Sequence, residues 1–297
     1  MGLEKALLLQ GTNAADRIES GYSKAGNETA VIKTHHNQVK EIQELKSRGL
    51  LIEPLDDLFK DEIRAVGKHL GLPEEVVGRQ PFPGPGLAVR ILCASGKEVI
   101  IDTSAVENQI KSQVKVDDAK VKILPIRNVG VGGDERSHKA AVALQINDTW
   151  TNLAKLATEL PAKFNKDINR VTIALGKQTI HKLTVTQTYI NKDTVAQLQH
   201  ADRIVWEQMR TFGISNTISQ FPVVLLPLSF DKPGERSIVL RPVTTSTFMT
   251  VQPMIPGINI PIEFIQTTTE RILKEVPKIS QVLIDLTPKP PATTEWE

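Results

Sequence analysis

The sequence lacks the raw material for several classes of protein. It holds one cysteine, Cys93, among 297 residues, which excludes an intramolecular disulfide framework and a cysteine-based zinc site and predicts a reducing compartment, the cytosol. It has no apolar run near the roughly 20 residues of a membrane-spanning helix, so no membrane association is expected. Met1-Gly2-Leu3-Glu4-Lys5 does not read as a signal peptide, and Gly2 lacks the Ser or Thr four residues on that would complete a myristoylation signal. Neither sign of charge dominates. Lys and Arg number 36 against 34 Asp and Glu, a net charge of +2, too balanced for a protein that grips a nucleic-acid backbone. A local site for a small anion stays open.

What is present is globular. Apolar residues make up 40% and charged residues 24%, which excludes a disordered tail, a collagen-like fibre and a coiled coil. The length suits two domains or one enlarged one.

Short apolar runs at Ala6–Leu9 and Ala30–Ile32 read as parallel strands, each bounded by polar or glycine residues. Val39, Ile42 and Leu45 fall three apart and predict a helix over 38–48, stopped by Gly49 and followed by a strand at Leu50-Leu51-Ile52. Ile63, Val66 and Leu70 predict another helix, and Pro73 opens a short one. This part reads as α/β. Pro81-Phe82-Pro83-Gly84-Pro85-Gly86 suits neither a helix nor a central strand, so a domain boundary is placed there. Leu87 to Ala94 reads as an alternating strand that buries Cys93.

Beyond the boundary one pattern occurs twice. Ile123–Ile126, Glu135-Arg136-Ser137 with Ala141–Leu144, a helix at 150–160 and Ile168–Ile173 form the first copy. Leu225–Leu228, Glu235-Arg236-Ser237 with Ile238–Leu240, a helix at 261–274 and Ile279–Ile284 form the second. A long helix over 191–212 joins them. The predicted organisation is an α/β segment at 1–80 and α+β units at 81–180 and 181–297.

Three places have the chemistry for a site. Lys33-Thr34-His35-His36-Asn37 follows a strand, at the end where open α/β sheets bind ligands. Adjacent histidines in extended chain point to opposite sides, so an anion-facing loop suits them better than a metal, with a solvated polar loop as the alternative. Gly130, Gly132, Gly133, Asp134 and Arg136 form either a ligand-approaching loop or a plain hairpin turn. The terminal Asp285-Leu286-Thr287-Pro288-Lys289-Pro290-Pro291-Ala292-Thr293-Thr294-Glu295-Trp296-Glu297 is stiffened by proline, so Lys289 can be presented to a phosphate and Glu295 to donors on a base or sugar. A frayed tail is the alternative.

Taken together, Gln10-Gly11-Thr12 through Asp16 to Ser20, Ile32–Asn37, Pro81–Ala88, Arg241 with Phe248-Met249-Thr250, and Lys289-Pro290-Pro291 to the final Glu-Trp-Glu resemble the carboxy-terminal portion of the glutamine-hydrolysing GMP synthetase family, in the long form with a doubled dimerisation unit. The resemblance implies the end of an ATP-pyrophosphatase domain followed by an α+β dimerisation domain with two repeated units, and a homodimer. It implies ATP- and Mg2+-dependent amination of XMP to GMP, with ammonia from a glutaminase domain. It places Lys33, His35 and His36 in a catalytic lid near the ATP phosphates, Asp16 and Glu19 on the nucleotide side, and Asp134, Gln220, Lys289 and Glu295 around XMP.

It also implies departures. The glutaminase segment with its cysteine nucleophile and a Ser-Gly-Gly-x-Asp-Ser phosphate loop are not among these residues, so the chain is expected not to act alone; a catalytically inactive dimerising or nucleotide-binding relative is the alternative. Gln281 stands where the family carries an arginine beside the substrate phosphate, and Arg170 holds the matching place in the first copy.

Overall fold

The protein is described here from a computed structural model covering residues 6–19, 39–78, 80, 82–83, 86–98, 102–132, 135–245 and 250–297. The chain divides into two compact units, Met1–Arg79 and Gln80–Glu297.

In the first unit β1 (Leu8–Leu9) pairs in parallel with β2 (Leu51–Ile52), as expected for strands separated by helical chain. Between and after them come α1 (Ala14–Glu19), α2 (Lys40–Ser47), α3 (Lys60–His69) and α4 (Glu74–Val77). Gly49 turns the chain after α2 with φ of 67°, a conformation that suits glycine. Pro73 caps α4 rather than opening it. The apolar stripe of α3 is not buried as its spacing suggests: Val66 is 40% and Leu70 73% exposed, and Leu7, Leu9 and Ile18 are also more than half exposed. The Ala30–Ile32 strand lies outside the described residues.

The second unit begins with a 3-10 turn at Gly86–Arg90. The alternating strand expected at Leu87–Ala94 is not formed. Gly86, at φ 70°, sets the turn, and single bridges from Ile91 to Leu225 and from Ala94 to Thr188 leave Cys93 exposed between them. Then follow α5 (Ser104–Val114), β3 (Lys120–Gly132), β4 (Glu135–Gln145), α6 (Trp150–Lys163), β5 (Ile168–Ala174), β6 (Leu183–Val185), α7 (Lys192–Thr211), β7 (Val223–Leu226), β8 (Leu228–Phe230), β9 (Arg236–Leu240), β10 (Val243–Thr244), β11 (Gln252–Pro253), α8 (Ile262–Glu275) and β12 (Ile279–Asp285).

Six strands form one sheet in the order β3-β4-β5-β12-β9-β7. Two successions, β3-β4-α6-β5 and β7-β9-α8-β12, run the same way. In each, the last strand lies parallel to the middle one, and the two last strands, β5 and β12, meet antiparallel at the centre. Every residue of β12 is buried because the sheet is covered on both faces. Val282 and Ile284 join the helix-covered core with Phe264 and Ile272 of α8, whereas Leu283 joins a second cluster with Ala143, Val239 and Trp296. Each such aliphatic side chain contributes about 1.5–3 kcal/mol on burial.

The joining helix α7 starts at a reciprocal cap. Asn191 Oδ1 accepts from the amides of Asp193 and Thr194, both at 3.0 Å, while the Asn191 amide donates to Thr194 Oγ1 at 3.1 Å. Its buried face carries Leu198, Ala201, Val205 and Met209 at helical spacing. Among the described residues no helix is long and apolar enough to cross a membrane.

Candidate functional site

The chain's last residues do not fray. The Val129 amide donates to Trp296 O at 2.9 Å, and the Val131 amide donates to Pro291 O at 2.8 Å, so the tail runs along β3. The approach is close: a Cβ on Gly130 would lie 2.5 Å from Asn169 Nδ2 and 2.6 Å from Pro291 O, which only glycine avoids. Lys289 exchanges two backbone bonds with Val251, at 2.9 and 3.1 Å.

Asp285, at the end of β12, anchors this tail. Its Oδ2 accepts from Arg170 Nη1 and Arg241 Nη1, both at 2.9 Å, and from Trp296 Nε1 at 3.1 Å, while its Oδ1 accepts from the Thr287 amide at 2.9 Å. All three charged side chains are fully buried. Burial pushes the Asp285 carboxyl up, but Arg241, Arg170 and the Thr287 donors outweigh it and hold the group below the usual carboxylate range. Burial pushes the Arg170 guanidinium down to about 10, opposed by Asp285.

The arginines then reach outward to the tail. Arg170 Nε donates to Asn128 Oδ1 at 2.6 Å, its Nη2 donates to the carbonyls of Thr293 and Glu295, and its guanidinium lies 5.0 Å from the Trp296 ring centroid. Arg241 Nε donates to Thr294 O at 3.1 Å and its Nη1 to Thr287 O at 3.0 Å. Arg90, 3% exposed, grips the Glu295 carboxylate with Nε and Nη2 and stacks over Phe82 at 5.0 Å.

Three of the sequence-predicted substrate residues, Gln220, Lys289 and Glu295, lie on segments beside the β10–β11 hairpin or in the tail. Gln220 bridges to Val243 of β10, β10 pairs with β11, and Lys289 bridges to Val251 next to β11. Gln220 and Lys289 therefore flank one β-hairpin, and Glu295 follows the residue that Arg241 holds just before it. Gln220, Lys289 and Glu295 are all half-buried.

The other predicted residues are not brought to this place. Asp16 closes onto the start of α1, its Oδ2 accepting from the Asn13 amide and its own amide donating to Asn13 Oδ1, both at 3.1 Å. Glu19 ends α1, and its side chain lies outside the described residues, as do Lys33, His35, His36 and Asp134. No group of three metal-ligating side chains occurs among the described residues, and the Asp16 carboxylate closes the start of its own helix.

Gln281 has a definite role. Its Oε1 accepts from the amides of Gly176 at 2.7 Å and Val282 at 2.9 Å, and its Nε2 donates to Gln178 O at 3.0 Å. It is fully buried inside the sheet. Arg90 and Asp285 are what residue reasoning passed over. An arginine amid the apolar run 87–94 and an aspartate closing an apolar strand were the available signals, since either is rarely buried without a partner.

Residues 207–296 match the GMP synthase C terminal domain. This chain is a relative of the carboxy-terminal portion of GMP synthases. It is 38% identical over 337 residues to a glutamine-hydrolysing GMP synthase of Dictyostelium discoideum, covering 99% of this chain and 47% of that protein. It is 36% identical to a probable GMP synthase of Caenorhabditis elegans, covering 99% of this chain and 48% of that protein, and 42% identical to one of Leptospira interrogans, covering 98% and 47%. The chain spans about half the length of the curated GMP synthases it matches.

Proposed function

We propose that the chain serves GMP synthesis as the carboxy-terminal portion of a GMP synthase, holding XMP at the end of the second unit while ATP activates it and ammonia replaces its 2-oxygen. The observation that carries this reading is the ordered tail, which holds Lys289 against Val251 and Glu295 against Arg90, in a chain related to GMP synthases. Lys289 supplies the cation for the nucleotide phosphate, and Gln220 and Glu295 supply amide and carboxylate partners for base and sugar. Asp134 completes this set, and Lys33, His35 and His36 form the lid over the phosphates of ATP with Asp16 and Glu19 beside it. ATP with Mg2+ supplies the leaving group.

In this reading the first unit is the end of an ATP-pyrophosphatase domain. Its parallel strand pair and exposed Leu7, Leu9 and Ile18 support that, as surfaces a larger α/β domain would cover. The two like successions in the second unit are copies of one dimerisation unit, the assembly is a cytosolic homodimer, and ammonia comes from a glutaminase domain or subunit.

XMP is expected to raise the melting temperature of the full chain, since a ligand at 100 times its Kd adds about 2.7 kcal/mol of stability. No shift at millimolar XMP contradicts the reading. With ATP, Mg2+ and ammonium the chain alone is expected to release no AMP on adding XMP; release would show that it acts unaided.

A further inference from the structure

The two like successions of the second unit can be matched residue by residue, because each carries the same irregularity in its strand pairing. In the first, Ala140 pairs with Ile168 and Ala141 with Arg170, passing over Asn169. In the second, Arg236 pairs with Ile279 and Ser237 with Gln281, passing over Ser280. Ala140 and Arg236 therefore hold equivalent places, opposite the first residue of the last strand. Since the first succession forms with alanine there, the pairing itself does not call for an arginine.

Arg236 lines a cleft between the start of α7, the start of β9 and the turn into β12. Its guanidinium is half-buried and held on three sides: Nε donates to Thr188 Oγ1 at 2.8 Å, Nη1 to Gln197 Oε1 at 3.2 Å and Nη2 to the Gln187 carbonyl at 2.8 Å. All three acceptors are neutral, so these bonds fix the fork without compensating its charge, and one N–H on each Nη remains. Burial pushes this guanidinium below the ordinary arginine value, with the Asp193 charge opposing. A charge withdrawn from water in this way asks for an anion.

A second cation stands next to it. The Arg236 amide donates to the Lys278 carbonyl at 2.9 Å, and Lys278 has φ of 58°, the left-handed conformation that side-chain-bearing residues seldom adopt. Lys278 is exposed, and neither its ammonium nor the Asp193 carboxylate has a hydrogen-bond partner among the described residues. Both line the cleft, as does His200. Positive charge exceeds negative here, with one acceptor group beside the cations.

We infer that this cleft binds a small sugar phosphate, its phosphate oxygens held by the Arg236 fork and the Lys278 ammonium and a hydroxyl of the sugar donating to the Asp193 carboxylate. Arg236 offers a planar pair of donors that matches two phosphate oxygens, and Lys278 a point charge. The volume, about 780 Å³, is in the range of small-molecule sites. The place is separate from the residues assigned to XMP, none of which lines it. β9 and β12 run parallel from the cleft toward the tail anchor, so Arg236 and Arg241, which holds the tail, are about 16 Å apart along β9. The connection from β3 to β4, which carries Asp134 in sequence, joins strands on the other side of β5 and β12.

The test is calorimetry on the full chain at low salt, with ribose 5-phosphate in one arm and inorganic phosphate in another. Arg236→Gln removes the fork, Lys278→Gln removes the exposed ammonium, and Lys289→Met is the control for either probe lodging at the residues assigned to XMP. Saturable binding of ribose 5-phosphate is expected, about tenfold or more weaker in Arg236→Gln, about threefold weaker in Lys278→Gln and unchanged in Lys289→Met. Free phosphate, which has no sugar hydroxyl for Asp193, is expected to bind more weakly than the ester. Because Arg236 also ties Thr188 to Gln197, each variant is melted alongside, and Lys278→Gln decides the matter where Arg236→Gln does not fold. No heat from ribose 5-phosphate at millimolar concentration, unchanged affinity in Lys278→Gln, loss in Lys289→Met, or free phosphate binding as tightly as the ester overturns the inference.

Discussion

Arg90 and Glu295, 205 residues apart in sequence, meet as a two-pronged ion pair, Nε to Oε2 at 3.0 Å and Nη2 to Oε1 at 2.9 Å. The arginine side chain is 4% exposed and the glutamate 20%. The pair joins the start of the second unit to its last residues and fixes the direction of the Glu295 carboxylate.

Glu295→Gln keeps the shape and removes the charge. It is expected to lower stability by about 1.5–3 kcal/mol, the range for a hydrogen bond to a charged group. If Glu295 serves XMP, affinity falls about tenfold as well. Arg90→Lys keeps the charge and loses the fork, so it is expected to weaken XMP binding while costing less stability. Denaturant unfolding and calorimetry on the same samples separate the two effects.

Asp285→Asn leaves two buried guanidinium groups without their shared carboxylate. A loss of about 3–5 kcal/mol is expected in chemical unfolding. Because the native Asp285 carboxyl lies below its unfolded value, its contribution is fully present above about pH 4 and is lost as pH falls through the native value. Stability measured from pH 6 downward should therefore fall less steeply in the variant.

Gly130→Ala is expected to lift the tail from β3, since the added methyl meets Asn169 Nδ2, Pro291 O and Ser137 Oγ within 2.8 Å. A cost of about 1–3 kcal/mol is expected, with Trp296 fluorescence moving toward that of a solvated indole. Trp296 emission unchanged from the parent would show that the tail accommodates the methyl.

Gln281→Arg restores the residue that resemblance places there, and yet it is expected to destabilise. The larger cation would enter a fully buried position where Gly176 and Gln178 now take the amide's hydrogen bonds, and among the described residues no carboxylate hydrogen-bonds to the Gln281 side chain. Thermal melting below that of the parent, without tighter XMP binding, is the expected outcome.

Much of this architecture is legible in the sequence, for local reasons. Asn191 caps α7, Gly213 follows its end, and the apolar face repeats at helical spacing between them. β12 stands out as an apolar run. The stripe of α3 misleads because its spacing reveals a face but not what covers it, and Leu70 ends 73% exposed. Cys93 misleads because a glycine-set turn breaks the alternation around it. The anchor at the site is hidden for another reason: Arg170 and Asp285 are 115 residues apart, and their contact exists only once β5 and β12 meet at the centre of the sheet. The placing of Gln220 and Lys289 on either side of the β10–β11 hairpin likewise depends on pairings that local sequence does not specify.

The central claim is that the anchored tail and the β10–β11 hairpin hold XMP. Calorimetric titration of XMP into the full chain and into Lys289→Met tests it most directly. Saturable binding by the parent, at least about tenfold weaker in the variant, is the predicted result for loss of a phosphate cation. No heat at millimolar XMP, or equal affinity in the two proteins, would contradict it.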